Sequence, residues 1–203
     1  MEFTLNLPEW AIRENEALPA SMPTMEERMA AVIRFSQLNF EEGTGGPFAA
    51  GLFERDTGAP VLIGVNRVMP LNCSSAHAEV TTITLAQQIL GTWDLGGPGM
   101  PPYELVVNWR TCVMCYGAVI WSGIRSLVIA GSGPELESIT GFDEGPAHPQ
   151  WKEELERRGI DVVDNLLKDE AVAVFHAFAA SGSHVYNARQ GDQGQVRAPV
   201  KGK

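Results

Sequence analysis

Short apolar runs alternate with helical patterns between residues 24 and 180, and this alternation limits the possible folds more than any other feature of the chain. Thr24, followed three residues later by Glu27, forms a capping box that predicts a helix continuing to about Phe40. Further helices are predicted over residues 77–90, 112–122, 150–158 and 168–180, and strands over residues 48–54, 61–65, 105–107, 126–130 and 160–163. Strands that alternate with helices are typical of layered α/β proteins. We therefore expect a three-layer α/β/α fold around a central mixed sheet of about five strands.

The two ends of the chain lack this periodicity. Residues 1–23 contain three prolines and are predicted to form an irregular N-terminal arm. Residues 24–181 are predicted to form one domain, since a chain of 203 residues with 44% hydrophobic residues can bury a single core. Residues 182–203 are mostly polar, and they are predicted to be a flexible tail or a lid over the active site.

Charge and cysteine content limit the partners and the compartment. The chain has 15 basic and 25 acidic side chains, a net charge of −10, whereas nucleic-acid binding requires a basic surface. It begins without the basic and apolar segments of a secretory signal, and its apolar runs are too short to cross a bilayer. Three cysteines form no disulfide framework. We expect a cytoplasmic protein without nucleic-acid or membrane partners.

Two motifs, His77-Ala78-Glu79 and Cys112-x-x-Cys115, carry the chemistry. Two thiolates and one imidazole form a soft ligand set that suits zinc, and three protein ligands leave one tetrahedral position open. Water at such a position loses a proton near neutral pH, which is typical of catalytic zinc sites. We therefore predict one Zn²⁺ per chain, bound by His77, Cys112 and Cys115, with Glu79 moving protons. The alternatives are a pair of core thiols, a redox pair and a solvated Glu79.

Both motifs are predicted to begin helices. The free amide groups and partial positive charge of a helix N-terminus favour a cysteine thiolate and stabilise a bound hydroxide. His77 and Glu79 lie two positions apart, so their side chains converge only if they lie at the very start of the helix.

H-x-E followed by P-C-x-x-C is the signature of zinc-dependent nucleobase deaminases, and the chain has all of it except the proline. With its flanking residues, the chain resembles the cytidine deaminase-like superfamily over roughly its central two-thirds, and within it the bacterial guanine deaminases. The segments that carry this resemblance are residues 46–50, 66–68, 76–80, 112–115 and 141–144. The resemblance implies a homodimeric hydrolase of purine catabolism that converts a free amino-heterocycle, with guanine as the leading substrate, into the oxo compound (xanthine for guanine) and ammonia.

The resemblance also assigns site residues. It implies zinc binding by His77, Cys112 and Cys115, and proton transfer by Glu79 and, at the leaving amine, Glu144. Asn66 would hydrogen-bond the base, Phe48 would pack against its ring and the Ala78 backbone would contact its edge. The remaining substrate-binding assignments are Asp143 beside Glu144, Tyr186 in the closing tail and Trp121 from across a dimer.

One position departs from the family pattern. The residues before the first cysteine are usually Glu-Pro, and here they are Arg110-Thr111. We expect Thr111 to cap the following helix, and Arg110 either to pair with an acid such as Glu104 or to indicate a more acidic or electron-rich substrate.

Three other functions remain open on the sequence alone. One is deamination of a different ring, such as ammeline or another triazine, a pterin, cytosine or a nucleoside. The second is editing of a base in a nucleic acid, which the acidic charge disfavours. The third is a non-catalytic zinc module closed by a fourth ligand, for which Cys73 and His148 are the candidates.

Overall fold

The structure is a computed structural model that describes residues 2–189. Its five strands are β1 (Ala49–Glu54), β2 (Pro60–Val65), β3 (Tyr103–Val107), β4 (Ser126–Ile129) and β5 (Asp161–Val163). They form one sheet in the order β2-β1-β3-β4-β5. The strand β1 is antiparallel to β2 and β3, whereas β3, β4 and β5 are parallel. This confirms the predicted mixed sheet.

Helices cover both faces of the sheet. They are α1 (Glu9–Glu16), α2 (Met25–Glu41), α3 (Val68–Leu71), α4 (Ala78–Leu90), α5 (Val113–Ser122), α6 (Glu135–Thr140), α7 (Trp151–Glu156) and α8 (Lys168–Ala180). One hydrophobic cluster joins α1, α2, α6 and α8 to one face, and a second cluster joins α4, α5 and α7 to the other. Successive side chains of β3 point to opposite faces of the sheet, so Val106 packs in the first cluster and Leu105 and Val107 pack in the second. The fold is therefore the expected three-layer α/β/α arrangement. None of the helices in residues 2–189 has the length and apolar character needed to span a membrane.

The prediction that residues 1–23 are irregular was wrong, because they contain helix α1. Trp10 and Ala11 are buried in the core, and the side chain of Asn15 bonds both the N–H and the C=O of Ile63 at 2.7 and 2.9 Å. Helices this short depend on packing rather than on intrinsic propensity. The sequence pattern therefore gave little sign of α1, or of the short helices α3 and α6.

The capping box at the start of α2 is confirmed. The N–H of Glu27 donates to Thr24 Oγ1 at 3.2 Å, and Glu27 Oε2 accepts from the N–H of Thr24 at 3.0 Å. We expect Thr24→Ala to lower the free energy of unfolding by about 1 kcal/mol, since it leaves an amide at the helix start without its partner. Urea denaturation measures this, with Thr24→Ser as the control that keeps the hydroxyl group. Equal midpoints for the alanine variant and the wild type would show that the cap contributes nothing.

Of the two roles considered for Arg110, pairing with Glu104 is wrong. Glu104 is fully buried, and its carboxylate accepts from Arg28 Nη1 at 2.7 Å and from Ser126 Oγ at 2.9 Å. Arg28 is itself buried and also bonds the carbonyl oxygen of Met22. A buried carboxylate needs a partner with donors close by, and here that partner comes from α2, 76 positions away in the sequence.

Candidate active site

The candidate site lies at one end of the strands β1, β2 and β3, where the first begins and the other two end. Phe48 precedes β1, Asn66 follows β2 and Asn108 follows β3. Because β1 is antiparallel to both neighbours, its start lies beside the ends of β2 and β3. Polar groups from distant parts of the chain therefore meet at this end of the sheet.

The first turns of α4 and α5 lie at the same end of the sheet. His77 is the N-cap residue of α4, and Glu79 lies in its first turn. Thr82 fixes α4 against the sheet, since its hydroxyl group donates to the carbonyl oxygen of Ala50 at 2.9 Å. A Cβ on Gly64 of β2 would overlap Thr82, so this close approach depends on glycine.

The prediction that Thr111 caps α5 was wrong. The N-cap residue is Cys112, whose sulfur accepts from the N–H of Cys115 at 3.5 Å. The Thr111 hydroxyl group is buried and has no hydrogen-bond partner among the described residues. Capping by sulfur places Cys112 against the free amides of the first turn, where a thiolate is stabilised.

The three residues with metal-ligating side chains come together as expected. One ligand atom from each of His77, Cys112 and Cys115 lies within 4.8 Å of the others, and His77 Nδ1 is 3.6 Å from Cys112 Sγ. Both cysteines are buried and unpaired by disulfides. In residues 2–189, no other group of three or more His, Cys, Asp or Glu side chains is close enough to hold a metal ion. Two sulfurs and one imidazole nitrogen fit zinc and leave a fourth position for a non-protein ligand.

The electrostatics of the ligands suit a soft cation. The hydrogen bond with Cys115 is the largest of the effects that lower the pKa of Cys112 to about 4, in opposition to burial. Burial alone would lower the pKa of His77, but the bond to Cys112 and the charge of Glu79 raise it to about 8. The neighbouring Cys112 and then burial raise the pKa of Cys115 well above its usual value. Without a metal, the site therefore holds a thiolate beside an imidazolium, and metal binding must displace the remaining protons.

Two acids face the same space. Glu79 is only 6% exposed, and burial, followed by the charge of the Cys112 thiolate, raises its pKa. Burial, again followed by the Cys112 thiolate and then by Glu79, raises the pKa of Glu144 to about 8. The carbonyl oxygen of Glu144 accepts from the N–H of Val113 at 3.2 Å, which fixes its loop to the start of α5. Carboxyl groups with raised pKa values can exchange protons near neutral pH.

The raised pKa of Glu144 predicts a pH dependence of stability in the metal-free protein. The pKa of Glu144 is higher in the folded protein than its unfolded value of 4.5. Its protonation therefore contributes to the free energy of unfolding in full below pH 4.5, and this contribution is lost as the pH rises through about 8. We expect the free energy of unfolding to fall over this range, and Glu144→Gln to remove roughly 2–4 kcal/mol of the fall. Chemical denaturation of chelator-treated protein between pH 5 and pH 8 measures it. The exposed Glu170 of α8, changed to Gln, is the control, since it is not among the groups that shift the pKa of Glu144. An identical pH slope in Glu144→Gln and wild type would contradict the assignment.

Several predicted substrate-binding residues line one inner cavity. Its lining includes Phe48, Asn66, Ala78, Glu79 and Glu144 together with the ligand His77. This inner cavity is narrow, about 20 Å³, but an outer cavity of about 330 Å³ shares Phe48, His77 and Glu144 with it. The outer volume lies in the range of small-molecule sites. The Phe48 ring is held edge-on to Phe142, with centroids 5.0 Å apart.

The first part of the C-terminal tail covers this site of its own chain. Tyr186 packs edge-on against Phe142 at 4.9 Å, and burial raises the pKa of its hydroxyl group well above the usual value, in opposition to a hydrogen bond with the Asn66 side chain. Asn187 Oδ1 accepts from the N–H of Asp143, and its amide donates to the carbonyl oxygen of Gly141, both at 2.9 Å. The rest of the predicted tail, residues 190–203, lies outside the described residues.

The other two assigned residues stand apart from the inner cavity. Asp143 lines the outer cavity, is exposed and accepts a hydrogen bond from the N–H of Gly145 at 2.9 Å. Trp121 lies at the end of α5, is 81% exposed and lines neither the inner nor the outer cavity. Its predicted role requires a second chain and stays a prediction.

Two asparagines that position the site were not predicted from the sequence. Asn108 is fully buried, accepts from the N–H of Ala49 and donates to the carbonyl oxygen of Pro47, both at 3.0 Å. Asn39 donates to the carbonyl oxygens of Gly46 and Asn66 at 2.8 and 3.0 Å. Together they fix the backbone around Phe48 and Asn66. The position of Asn108 directly after a strand was the only available signal.

Comparison with known proteins identifies the family. The profile of the cytidine and deoxycytidylate deaminase zinc-binding region matches residues 22–131, which is more than half of the chain. The chain belongs to this family. It is accordingly a deaminase, a hydrolase acting on C–N bonds of cyclic amidines, and its cofactor is zinc.

Similar proteins include guanine deaminases. The guanine deaminase of Bacillus subtilis (strain 168) is 31% identical over 118 residues, which cover 58% of this chain and 70% of that protein. A solved guanine deaminase from Nitrosomonas europaea is 44% identical, with a TM-score of 0.84, over 88% of this chain and 97% of that one. Another solved structure, a complex with 2,6-diaminopurine, is 45% identical with a TM-score of 0.84, over 92% of this chain and 97% of that one.

Proposed function

We propose that this zinc deaminase acts on guanine, which it hydrolyses to xanthine and ammonia. The observation that carries the proposal is the convergence of three metal-ligating side chains and two acids on one cavity lined by Asn66 and Phe48. The similarity to guanine deaminases, and to a structure that holds 2,6-diaminopurine, supports a purine base as the ligand.

His77, Cys112 and Cys115 would hold the zinc, which supplies Lewis-acid activation of water when it is bound. Glu79 is the residue that accepts a proton from the attacking water and passes it towards the ring. Glu144, whose pKa is raised by burial, donates a proton to the departing amine. The amine then leaves as ammonia, the ring carbon keeps the oxygen of the water, and the second proton of the water, released as the carbonyl group forms, restores the neutral Glu144.

The remaining residues bind and orient the base. Asn66 is 1% exposed, and its Oδ1 already accepts from the N–H of Val68 at 3.2 Å, which fixes the amide plane for a hydrogen bond to the base. Phe48 offers a ring against which the base packs. The Ala78 backbone contacts its edge, and Asp143 and Tyr186 close the outer side.

The direct test is the formation of xanthine from guanine by the zinc-loaded protein, followed by ultraviolet absorbance and by ammonia release. We expect stoichiometric xanthine and ammonia. A panel of amino-heterocycles, comprising ammeline, a pterin, cytosine and nucleosides, is assayed beside guanine. Turnover of one of these without any turnover of guanine would overturn the choice of substrate and leave the deaminase assignment intact.

A different ring is the second candidate, and Arg110 is the observation that favours it. This residue replaces the glutamate usual in the family, and its side chain makes no hydrogen bond or ion pair within residues 2–189. An unpaired cation beside the base site would suit a more acidic or electron-rich ring. Arg110→Glu in the same panel tests this, because it should shift the preference towards guanine if Arg110 selects another ring.

Two further alternatives have less support. A closed structural zinc site needs a fourth ligand, but Cys73 bonds Ser75 instead at 3.2 Å, and His148 accepts from the N–H of Gln150. Nucleic-acid editing is disfavoured by the net charge of −10, and salt-dependent binding of tRNA would contradict this.

We further propose that the chain is a cytoplasmic homodimer that serves purine catabolism, with residues 24–181 as the deaminase domain. The helix α5 has no charged residue, yet Met114 and Trp121, seven positions apart on it, are 37% and 81% exposed. An apolar helix face of this kind is typical of a surface covered by another protein. In a dimer formed there, Trp121 would reach towards the partner. Sedimentation equilibrium tests the dimer, and a monomer at micromolar concentration would contradict it.

A further inference from the structure

A second cavity, of about 380 Å³, lies at the start of α5 beside the inner cavity of the proposed reaction. It shares only Arg110 and Glu144 with the inner cavity that faces the metal ligands. We propose that this second cavity binds a planar aromatic molecule whose carboxylate, or a similar acceptor edge, is held by Arg110.

The walls of the second cavity suit a flat ring. Tyr116 and Trp151 line it, and the Tyr116 hydroxyl group donates to the carbonyl oxygen of Trp151 at 3.1 Å, which fixes the two residues against each other. Val113, Pro146 and Ala147 complete the apolar lining. Aromatic and aliphatic walls with a few polar groups, in a volume of ~300–1,000 Å³, are typical of small-molecule sites.

The polar groups of the second cavity are mainly donors. The guanidinium of Arg110 has no partner within residues 2–189, although its backbone N–H donates to the carbonyl oxygen of Gly131 at 2.8 Å and fixes the main chain. His148 Nδ1 accepts from the N–H of Gln150 at 3.1 Å, so in the neutral imidazole Nε2 carries the proton and donates.

The only acid in this lining is Glu144, which the second cavity shares with the inner one. A half-buried guanidinium without an acid partner retains its five donors, which match the two oxygens of a carboxylate. The donor set therefore disfavours a cation and favours an anionic or acceptor edge. The aromatic walls select a planar ring to carry it.

The test uses 2-naphthoate and its uncharged counterpart 2-naphthamide as probes, with isothermal titration of the zinc-loaded full chain. We expect 2-naphthoate to bind at least about tenfold more tightly than 2-naphthamide, because a charge-assisted bidentate contact is the stronger one. Arg110→Gln should remove this difference. The exposed Arg13, changed to Gln, is the control for net charge and should leave both affinities unchanged.

Each other result overturns the proposal. Equal affinities for the two probes would mean that Arg110 does not bind the carboxylate. Binding that survives Arg110→Gln but disappears on zinc removal would place the naphthoate on the metal. If neither probe binds, and Arg110→Gln changes the mass of the protein in sedimentation, the cavity belongs to an interface between two copies of the chain. These measurements do not depend on turnover of guanine, so they remain decisive if another ring is the substrate.

Discussion

Glu79→Gln is expected to lower the rate of deamination by about 10²–10⁴-fold while zinc stays bound. Glutamine has nearly the same size and hydrogen-bonding reach, but its amide cannot accept the proton of the attacking water. Glu79 is 6% exposed and its carboxyl group pays a desolvation penalty when charged, so a neutral amide should not destabilise the fold. Single-turnover rates, together with the zinc content and the denaturation midpoint of each variant, measure the effect.

The matched control is Glu170→Gln, which changes an exposed acid in the first turn of another helix, α8. It should keep the wild-type rate. A Glu79→Gln protein with one zinc per chain and an unchanged rate would remove Glu79 from the mechanism. A rate loss that accompanies loss of zinc would make it a positioning residue for the metal instead.

Cys115→Ser is expected to abolish both zinc binding and activity. Its sulfur is fully buried and is one of only three protein ligand atoms in the group. A serine oxygen is a harder and weaker ligand for zinc than a thiolate. Because loss of an outer hydrogen-bond partner of a metal ligand already costs about 10–100-fold in affinity, loss of a ligand should cost more. Competition with a chromophoric chelator measures the affinity.

The third cysteine offers the control for this substitution. Cys73 is partly exposed, bonds Ser75 Oγ and takes no part in the ligand group. Cys73→Ser should therefore keep one zinc per chain and full activity. If it lost zinc as Cys115→Ser does, the ligand set derived from the structure would be wrong.

The features that could be predicted from the sequence are those determined by residues near one another in the chain. The apolar alternation of the strands and the capping box of α2 depend on residues near one another in sequence, and both were predicted. The metal ligands were predictable because His77 and Cys112 each mark a helix start, and two such starts supply one coordination set. In those cases, the chemistry and the local structure require the same residues.

What could not be predicted depends on contacts between distant segments. Arg110 was expected to pair with an acid such as Glu104, but the packing of α2 on the sheet brings Arg28 to Glu104 instead. Helix α1 is stabilised by the edge strand that Asn15 contacts rather than by its own residues. Cys112 replaces Thr111 as the helix cap because the helix begins one residue later than expected, and boundaries are the least reliable part of such a prediction.

The most direct test of the central claim is the rate of xanthine formation from guanine as zinc is added back to chelator-treated protein. We predict that the rate rises linearly with bound zinc and levels off at one ion per chain, held by His77, Cys112 and Cys115. Full activity in protein shown to contain no metal would contradict the account. So would the absence of xanthine at one zinc per chain.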